Sequence, residues 1–242
     1  MPRRAPASPW LAVAVALLAA GCTPQSVTEQ GRAIYNLYNL FMYIAAVVFV
    51  VVSGLVIWSV VRYRRRDDEL PTQTHGNNRL ELLWTAIPAV IVLVLFGFTL
   101  RAQDRVLDQS GQADVNVTVT AFQWSWRFSY EGAGAEVVGT PEHIPELVVP
   151  VGQRVRVKLV SADVVHSFYV PQSLFKRQAI PGVTNEFDLT FDKTGLFHGQ
   201  CTQFCGLQHT DMVFRVRVVS QGEYQSWLAA AARRGSAGQP GT

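Results

Sequence analysis

The sequence predicts a membrane-anchored all-β protein, in which a two-helix transmembrane hairpin is followed by an antiparallel sandwich or barrel. Two uncharged runs, residues 40–61 and 82–100, lie in the first part of the chain, and each matches the roughly 20 helical residues that cross a bilayer. Beyond them the apolar residues switch to an alternation of period two, the mark of half-buried strands. The composition agrees: 49% of the 242 residues are hydrophobic and only 16% charged, unlike an ordinary soluble domain.

Residues 1–21 read as a signal peptide. Arg3 and Arg4 precede an apolar stretch from Trp10 to Ala20, about a dozen residues and so too short to span a membrane. Ala19-Ala20-Gly21-Cys22 resembles a bacterial lipoprotein cleavage box, with Leu18 one place further back than usual. Cys22 is the expected lipidated start of the mature chain.

Residues 22–101 then hold an N-terminal segment and the two spans. A buried core helix is the alternative for each run, but two uncharged stretches of this length disfavour it. Between the runs lie Arg62, Arg64, Arg65, Arg66 and Arg79, and such an excess of arginine places a short loop in the cytoplasm. Both the N-terminus and everything after the second run are then extracytoplasmic. The net charge of +3 does not signal nucleic-acid binding, because 12 basic and 13 acidic side chains follow residue 101. The basic excess sits where topology accounts for it.

The β domain is expected over residues 102–220. Val115, Val117 and Val119 alternate with polar residues, as do Trp124, Trp126, Phe128 and Tyr130, then Val155, Val157 and Leu159, and finally Phe214, Val216 and Val218. Turns such as Gly132-Ala133-Gly134, Pro150-Val151-Gly152 and Pro181-Gly182 separate them, which suits a sandwich or barrel of about 110 residues. Residues 221–242 read as a C-terminal tail, a frayed helix from Ala229 and a disordered end.

The chemistry concentrates between Cys201 and Met212, where Cys201, Cys205, His209 and Met212 fall between two strand patterns, as a ligand loop should. A Cys201–Cys205 disulfide is permitted outside the cytoplasm, but the trailing His209 and Met212 argue against it. Zinc would leave Met212 without a purpose, and a mononuclear blue-copper site would leave one cysteine over. Two thiolates, a thioether and two imidazoles match two copper ions. The second imidazole comes from His75, His143, His166 or His198. His75 lies in the cytoplasmic loop, His143 in a Pro- and Glu-rich surface segment, and His198 at a strand end suited to aromatic packing. His166 follows a strong strand pattern, and we expect it to be the ligand.

Several motifs together resemble one family. Asp163-Val164-Val165-His166-Ser167-Phe168, Ala179-Ile180-Pro181-Gly182, Gly199-Gln200-Cys201 through Met212, Ala121-Phe122-Gln123-Trp124-Ser125-Trp126 and Glu81-Leu82-Leu83-Trp84-Thr85-Ala86-Ile87-Pro88 are similar to cytochrome c oxidase subunit II over residues 35–220. The resemblance implies a cupredoxin-like Greek-key β-barrel carrying a dinuclear copper centre, CuA. It implies that Cys201 and Cys205 bridge two coppers, that His166 and His209 each ligate one, and that Met212 and the backbone carbonyl of Gln203 complete the set. Where this chain has Gln203 the family usually has a Glu that serves a magnesium site, so a weak or empty magnesium position is implied.

The resemblance also implies electron entrance from cytochrome c at Trp124 and a proton-path role for Glu81. Partners would be subunit I with its haem and CuB, subunit III, and membrane lipid, in a bacterial cell membrane, for oxygen reduction coupled to proton translocation. Asp163, Glu142 or Glu146 would form a local acidic patch that steers the donor. A quinol oxidase subunit II would lack the copper ligands, and a free-standing copper-delivery lipoprotein would not need Glu81 at the start of a span. Without a Cys-x-x-Cys-His motif, no fused cytochrome c domain is expected.

Overall fold

A computed structural model describes residues 25–65, 73, 75–140 and 142–237. The expected signal segment with Cys22, and residues 238–242, lie outside that set. The chain divides into a helical unit, Asn36–Asp104, and a β unit made of Met1–Tyr35 with Arg105–Thr242.

Two long helices, α1 (Glu29–Arg62) and α2 (Asn78–Val106), contain the apolar runs and extend beyond them at both ends. Side-chain caps set where they begin. Thr28 Oγ1 accepts the Gly31 N–H at 3.1 Å, and Asn77 Oδ1 accepts the N–H groups of Arg79 and Leu80, each at 3.2 Å. These bonds satisfy donors that a helix start otherwise leaves orphaned. The most apolar stretches of both helices bury nothing against the described chain, the opposite of a soluble core helix.

The β unit contains, in chain order, β1 (Val115–Phe122), β2 (Ser125–Tyr130), β3 (Ala135–Val138), β4 (Glu146–Pro150), β5 (Arg154–Ser161), β6 (His166–Val170), β7 (Phe175–Ala179), β8 (Asn185–Thr190), β9 (Gly195–Cys201) and β10 (Val213–Val219). They form two five-stranded sheets, ordered β3-β2-β1-β5-β8 and β4-β10-β9-β6-β7. The expected sandwich is present, but it is not wholly antiparallel: β1 pairs with β5 in parallel, and β4 with β10. After β3 the chain leaves the first sheet, contributes β4 to the second, and returns as β5 beside β1. A strand that comes back by such a crossover, unlike a hairpin partner, can run in parallel with its neighbour.

The alternation fixes which faces meet. Val115, Val117, Val119 and Ala121 of β1, and Val155, Val157 and Leu159 of β5, are buried, while their neighbours along each strand are less so. On the inner face of the second sheet Phe168 stacks on Phe214 with centroids 4.6 Å apart, and Trp126 from the first sheet meets Phe214 edge-on at 5.1 Å. Trp126, Phe128 and Tyr130 are core, but Trp124 stands in the turn before β2 and is half-buried.

Two segments beyond the strands complete the β unit. The helix α3 (Gln221–Ala237) begins earlier than the frayed helix expected from Ala229. Ser220 and Glu223 make the Ser-x-x-Glu spacing of a capping box, and Ser220 Oγ accepts the Glu223 N–H at 3.3 Å. Trp227 lies against Tyr130 at 5.0 Å and brings α3 onto the sandwich beside β3 and β4. At the other end of the chain, Val27 N–H donates to Gln172 O and Asp192 N–H to Val27 O, both at 2.9 Å. Gln30 Oε1 accepts the Thr190 N–H at 3.1 Å. The residues at the start of α1 are therefore woven into the β unit.

One charge cluster fastens the segment after α2. Asp188 is buried and receives Arg156 through Nε and Nη2, both at 2.9 Å. Arg156 Nη2 also donates to the carbonyls of Gln109 and Gly111 at 2.8 and 3.1 Å. The carboxylate beside it holds the Arg156 guanidinium above its ordinary range.

Tyr130 pairs the outer edge of β4: its hydroxyl donates to Val148 O at 2.9 Å and accepts Val148 N–H at 2.8 Å. Tyr130→Phe leaves both buried backbone groups unpaired and should cost about 1–3 kcal/mol. Thermal unfolding of the detergent-solubilised chain checks this, and an unchanged midpoint would contradict the assigned role.

Candidate metal centre

The ends of β6, β9 and β10 converge on one spot. His166 opens β6, Cys201 closes β9, and Met212 directly precedes β10. Phe168 pairs with Cys201 across β6 and β9, which sets the register of the first two. The Cys201 N–H donates to Met212 O at 2.9 Å. That bond closes the loop between β9 and β10, and a 3-10 turn, His209–Asp211, turns the chain back within it.

The donor atoms lie close together. Cys201 Sγ is 3.9 Å from Cys205 Sγ and 4.0 Å from His166 Nδ1, and Cys205 Sγ is 3.5 Å from His209 Nδ1 and 3.8 Å from Met212 Sδ. The Gln203 carbonyl is 3.3 Å from Cys201 Sγ. The two sulfurs are free thiols, far beyond the roughly 2.0 Å of a disulfide bond. Donors spaced in this way are what metal bonds of about 2.0–2.3 Å impose on their ligands. The residues therefore fit a soft metal.

The imidazole of His166 is fully buried, with Nε2 held at 2.7 Å by Asp163 Oδ1. That contact leaves Nδ1 facing the sulfur. Burial opposes a charge on His166, but Cys201 and Asp163 outweigh it and raise the imidazole above its ordinary value. Burial likewise opposes ionisation of Cys201, and the hydrogen bond with His166 overcomes it, bringing this thiol down to about 7. Cys205 moves the other way, pushed up by burial and by Cys201 beside it. One thiol ionises readily and the second keeps its proton until a cation replaces it, so metal uptake releases protons.

All the donors named from sequence are brought together here. Glu81 is not among them: it lies in the first turn of α2, in the helical unit. His143 and His198 are exposed, His198 on β9 opposite Arg215 and not packed among aromatics as expected. Asp163 is exposed, and its oxygens also accept the N–H groups of Gln123 and Val164, each at 2.6 Å. Sequence reasoning missed Gln123 altogether, although it stands beside Trp124 in a quoted motif. Its side-chain Nε2 and the Trp124 indole N–H both donate to Cys205 O, at 2.7 and 3.2 Å.

Comparison with known proteins agrees with this architecture. Residues 141–219 match the family described as cytochrome c oxidase subunit II, periplasmic domain, and residues 19–101 match its transmembrane domain. A probable cytochrome c oxidase subunit 2 of Streptomyces avermitilis is 36% identical, over 91% of this chain and 84% of that protein. Cytochrome c oxidase subunit 2 of Mycobacterium tuberculosis is 31% identical, over 89% and 78%. The crystal structure of the periplasmic domain of subunit II of cytochrome oxidase of Bradyrhizobium japonicum is 35% identical with a TM-score of 0.48, covering 51% of this chain and 97% of that one.

The sequence matches place the chain among the haem–copper oxidases, as a membrane-anchored subunit with an extracytoplasmic domain. Such subunits are oxidoreductase components, and copper is the metal implied for the cluster of His166, Cys201 and Cys205. The chain belongs to the cytochrome c oxidase subunit II family.

His143→Ala and His198→Ala should bind copper as the wild type does, whereas His166→Ala should lose most of its affinity. Competition against a copper chelator measures all three, and a wild-type value for His166→Ala would remove His166 from the donor set.

Proposed function

We propose that the chain takes electrons from cytochrome c at a dinuclear copper centre, CuA, and passes them to haem in subunit I, where oxygen is reduced to water with coupled proton translocation. The observation that carries this reading is that each thiol has its own imidazole. Cys201 faces His166 at 4.0 Å, Cys205 faces His209 at 3.5 Å, and the two sulfurs adjoin at 3.9 Å. A single tetrahedral metal takes four donors. Here Met212 and the Gln203 carbonyl bring the number beyond that, with the two thiolates between the imidazoles.

His166, Cys201, Cys205, His209, Met212 and the Gln203 carbonyl are thus the copper ligands. Bound there, copper supplies a one-electron couple. The chain's part is to hold the donors still and keep water out. His166 and Met212 are fully buried and both cysteines nearly so, the sheet ends fix the backbone, and Asp163 fixes the imidazole ring. With the donors held in this way, gain or loss of an electron requires little rearrangement. Trp124 is half-buried and reaches Cys205 O through its indole N–H, so its ring joins the rim of the domain to the ligand loop. Electrons enter there.

Gln203 lacks the carboxylate that a hard cation prefers, so the magnesium position beside it is weak or empty. Glu81 serves proton uptake into subunit I, subunit III and membrane lipid complete the surroundings, and Cys22 carries the lipid of the mature chain. The CuA domain, residues 102–220, faces outward from the bacterial cell membrane, and the arginine-rich connection between α1 and α2 faces the cytoplasm.

In the assembled oxidase, metal analysis should find two copper ions per chain and no stoichiometric magnesium, and intact mass should show a chain starting at lipidated Cys22. One copper with a blue mononuclear spectrum would overturn the assignment. Cys201→Ser or Cys205→Ser should abolish the dinuclear spectrum. Glu81→Gln should slow turnover and proton uptake together, and wild-type behaviour across the working pH range would reduce Glu81 to a helix-end carboxylate.

A further inference from the structure

The turn between β1 and β2 consists of Gln123 and Trp124, and Gln123 touches both halves of the donor set. Its main-chain N–H donates to Asp163 Oδ2 at 2.6 Å, and the other oxygen of that carboxylate holds His166 Nε2 at 2.7 Å. Its side-chain Nε2 donates to Cys205 O at 2.7 Å. His166 and Cys205 come from segments distant in sequence, and one residue of a third segment bridges them.

Gly206 shows that this approach is built in. Its φ of +121° suits glycine. A Cβ there would lie 3.1 Å from both Gln123 Nε2 and Trp124 Cζ2, and 3.2 Å from Trp124 Nε1. A side chain there would crowd both donors to the Cys205 carbonyl, which would have to give by a few tenths of an ångström. Gln123 is itself exposed, and ordering a long exposed side chain costs entropy that this bond must offset. The ends of the loop are pinned elsewhere, by Cys201 N–H on Met212 O at 2.9 Å and Thr202 N–H on Ser167 O at 3.3 Å. The Gln123 amide holds its middle at 2.7 Å, with the Trp124 indole on the same carbonyl at 3.2 Å.

We propose that Gln123 is a positioning residue, a splint that fixes Cys205 relative to His166 before any metal arrives, with Gly206 as its required clearance. The splint rests on the copper reading above for its function, but its geometry belongs to the chain alone. Outer partners that orient metal ligands are worth about 10- to 100-fold in affinity or activity when removed. Trp124 shares the same carbonyl at a longer distance, so it is the Gln123 amide that sets the loop and leaves the indole free to conduct.

The test uses the full-length chain with Gln123→Leu, Gly206→Ala and the double variant. In the copper-free state, amide hydrogen exchange over residues 203–208 should quicken in each. On loading, copper affinity measured against a chelator should fall on the order of tenfold in each. The double variant should be no worse than Gly206→Ala alone, because both changes break one contact. Wild-type exchange and affinity in Gln123→Leu and Gly206→Ala would overturn the proposal, as would additive losses in the double variant. Trp124→Ala separates the two readings. Slower reduction by cytochrome c at unchanged copper affinity supports the splint and the conducting indole together, whereas a loss of affinity equal to that of Gln123→Leu would transfer the splint to Trp124. If the wild-type chain bound no copper, the function proposed above would fall, and the exchange measurement would still decide the splint.

Discussion

Cys201 donates its backbone N–H to the carbonyl of Met212, and most of what distinguishes this domain follows from that bond. It ends the β9–β10 ladder at two residues with soft side chains, and everything between must fold back within a short loop. The loop cannot hide its polar backbone in the sandwich, so its amides and carbonyls bond to one another through the 3-10 turn and to Ser167, Gln123 and Trp124 at its margins. The two thiols end up adjacent but unbonded.

The aromatic layer beneath gives this loop a firm floor. Phe168 lies two residues after His166, and Phe214 two residues after Met212. The stacking of these rings, with Trp126 edge-on to both, transmits the rigidity of the core to the ligand-bearing strand ends. A densely packed interior yields little to small displacements. The ion pairs on the outer faces contribute less: Arg217 with Glu146 and Glu223, and Lys158 with Glu131, are partly or largely exposed and screened by solvent. Asp188 differs, because its carboxylate is wholly enclosed and depends on two arginines for compensation.

What was legible in the sequence was local. The apolar runs announced α1 and α2 because every residue in them faces the same surroundings. The valines of β1 and β5 announced strands because one face of each is buried. Five of the six candidate donors lie from Cys201 to Met212; the spacing of the four side chains among them suggested soft-metal chemistry, and His166 followed from elimination among few histidines. Pairing between distant segments was not legible. Nothing in Val115–Phe122 says that its neighbour in parallel is Arg154–Ser161, and β3, with only Ala135 buried, carries no alternation strong enough to be seen. The alanines of α3 concealed the two aromatics, Tyr224 and Trp227, that hold it to the sandwich. Gln123 looked like one polar residue in an aromatic motif, because its function depends on a carbonyl far away in the chain.

The residues before α1 have a consequence for how the molecule comes into being. Val27, Thr28 and Gln30 bond to Gln172, Ser173, Thr190 and Asp192, so the β unit is a discontinuous domain whose first piece, up to the first turns of α1, leaves the ribosome before the apolar runs and whose remainder follows them. The early piece must wait while more than a hundred residues are made, and it then finds its place beside strands completed late. Loop closure over such a separation costs only slowly more as the intervening chain lengthens, so the wait is thermodynamically cheap, but the contact cannot form early. Final closure of the extracytoplasmic domain therefore follows completion of β8, and a fragment cut after α2 would lack the contacts that Val27, Thr28 and Gln30 make with it.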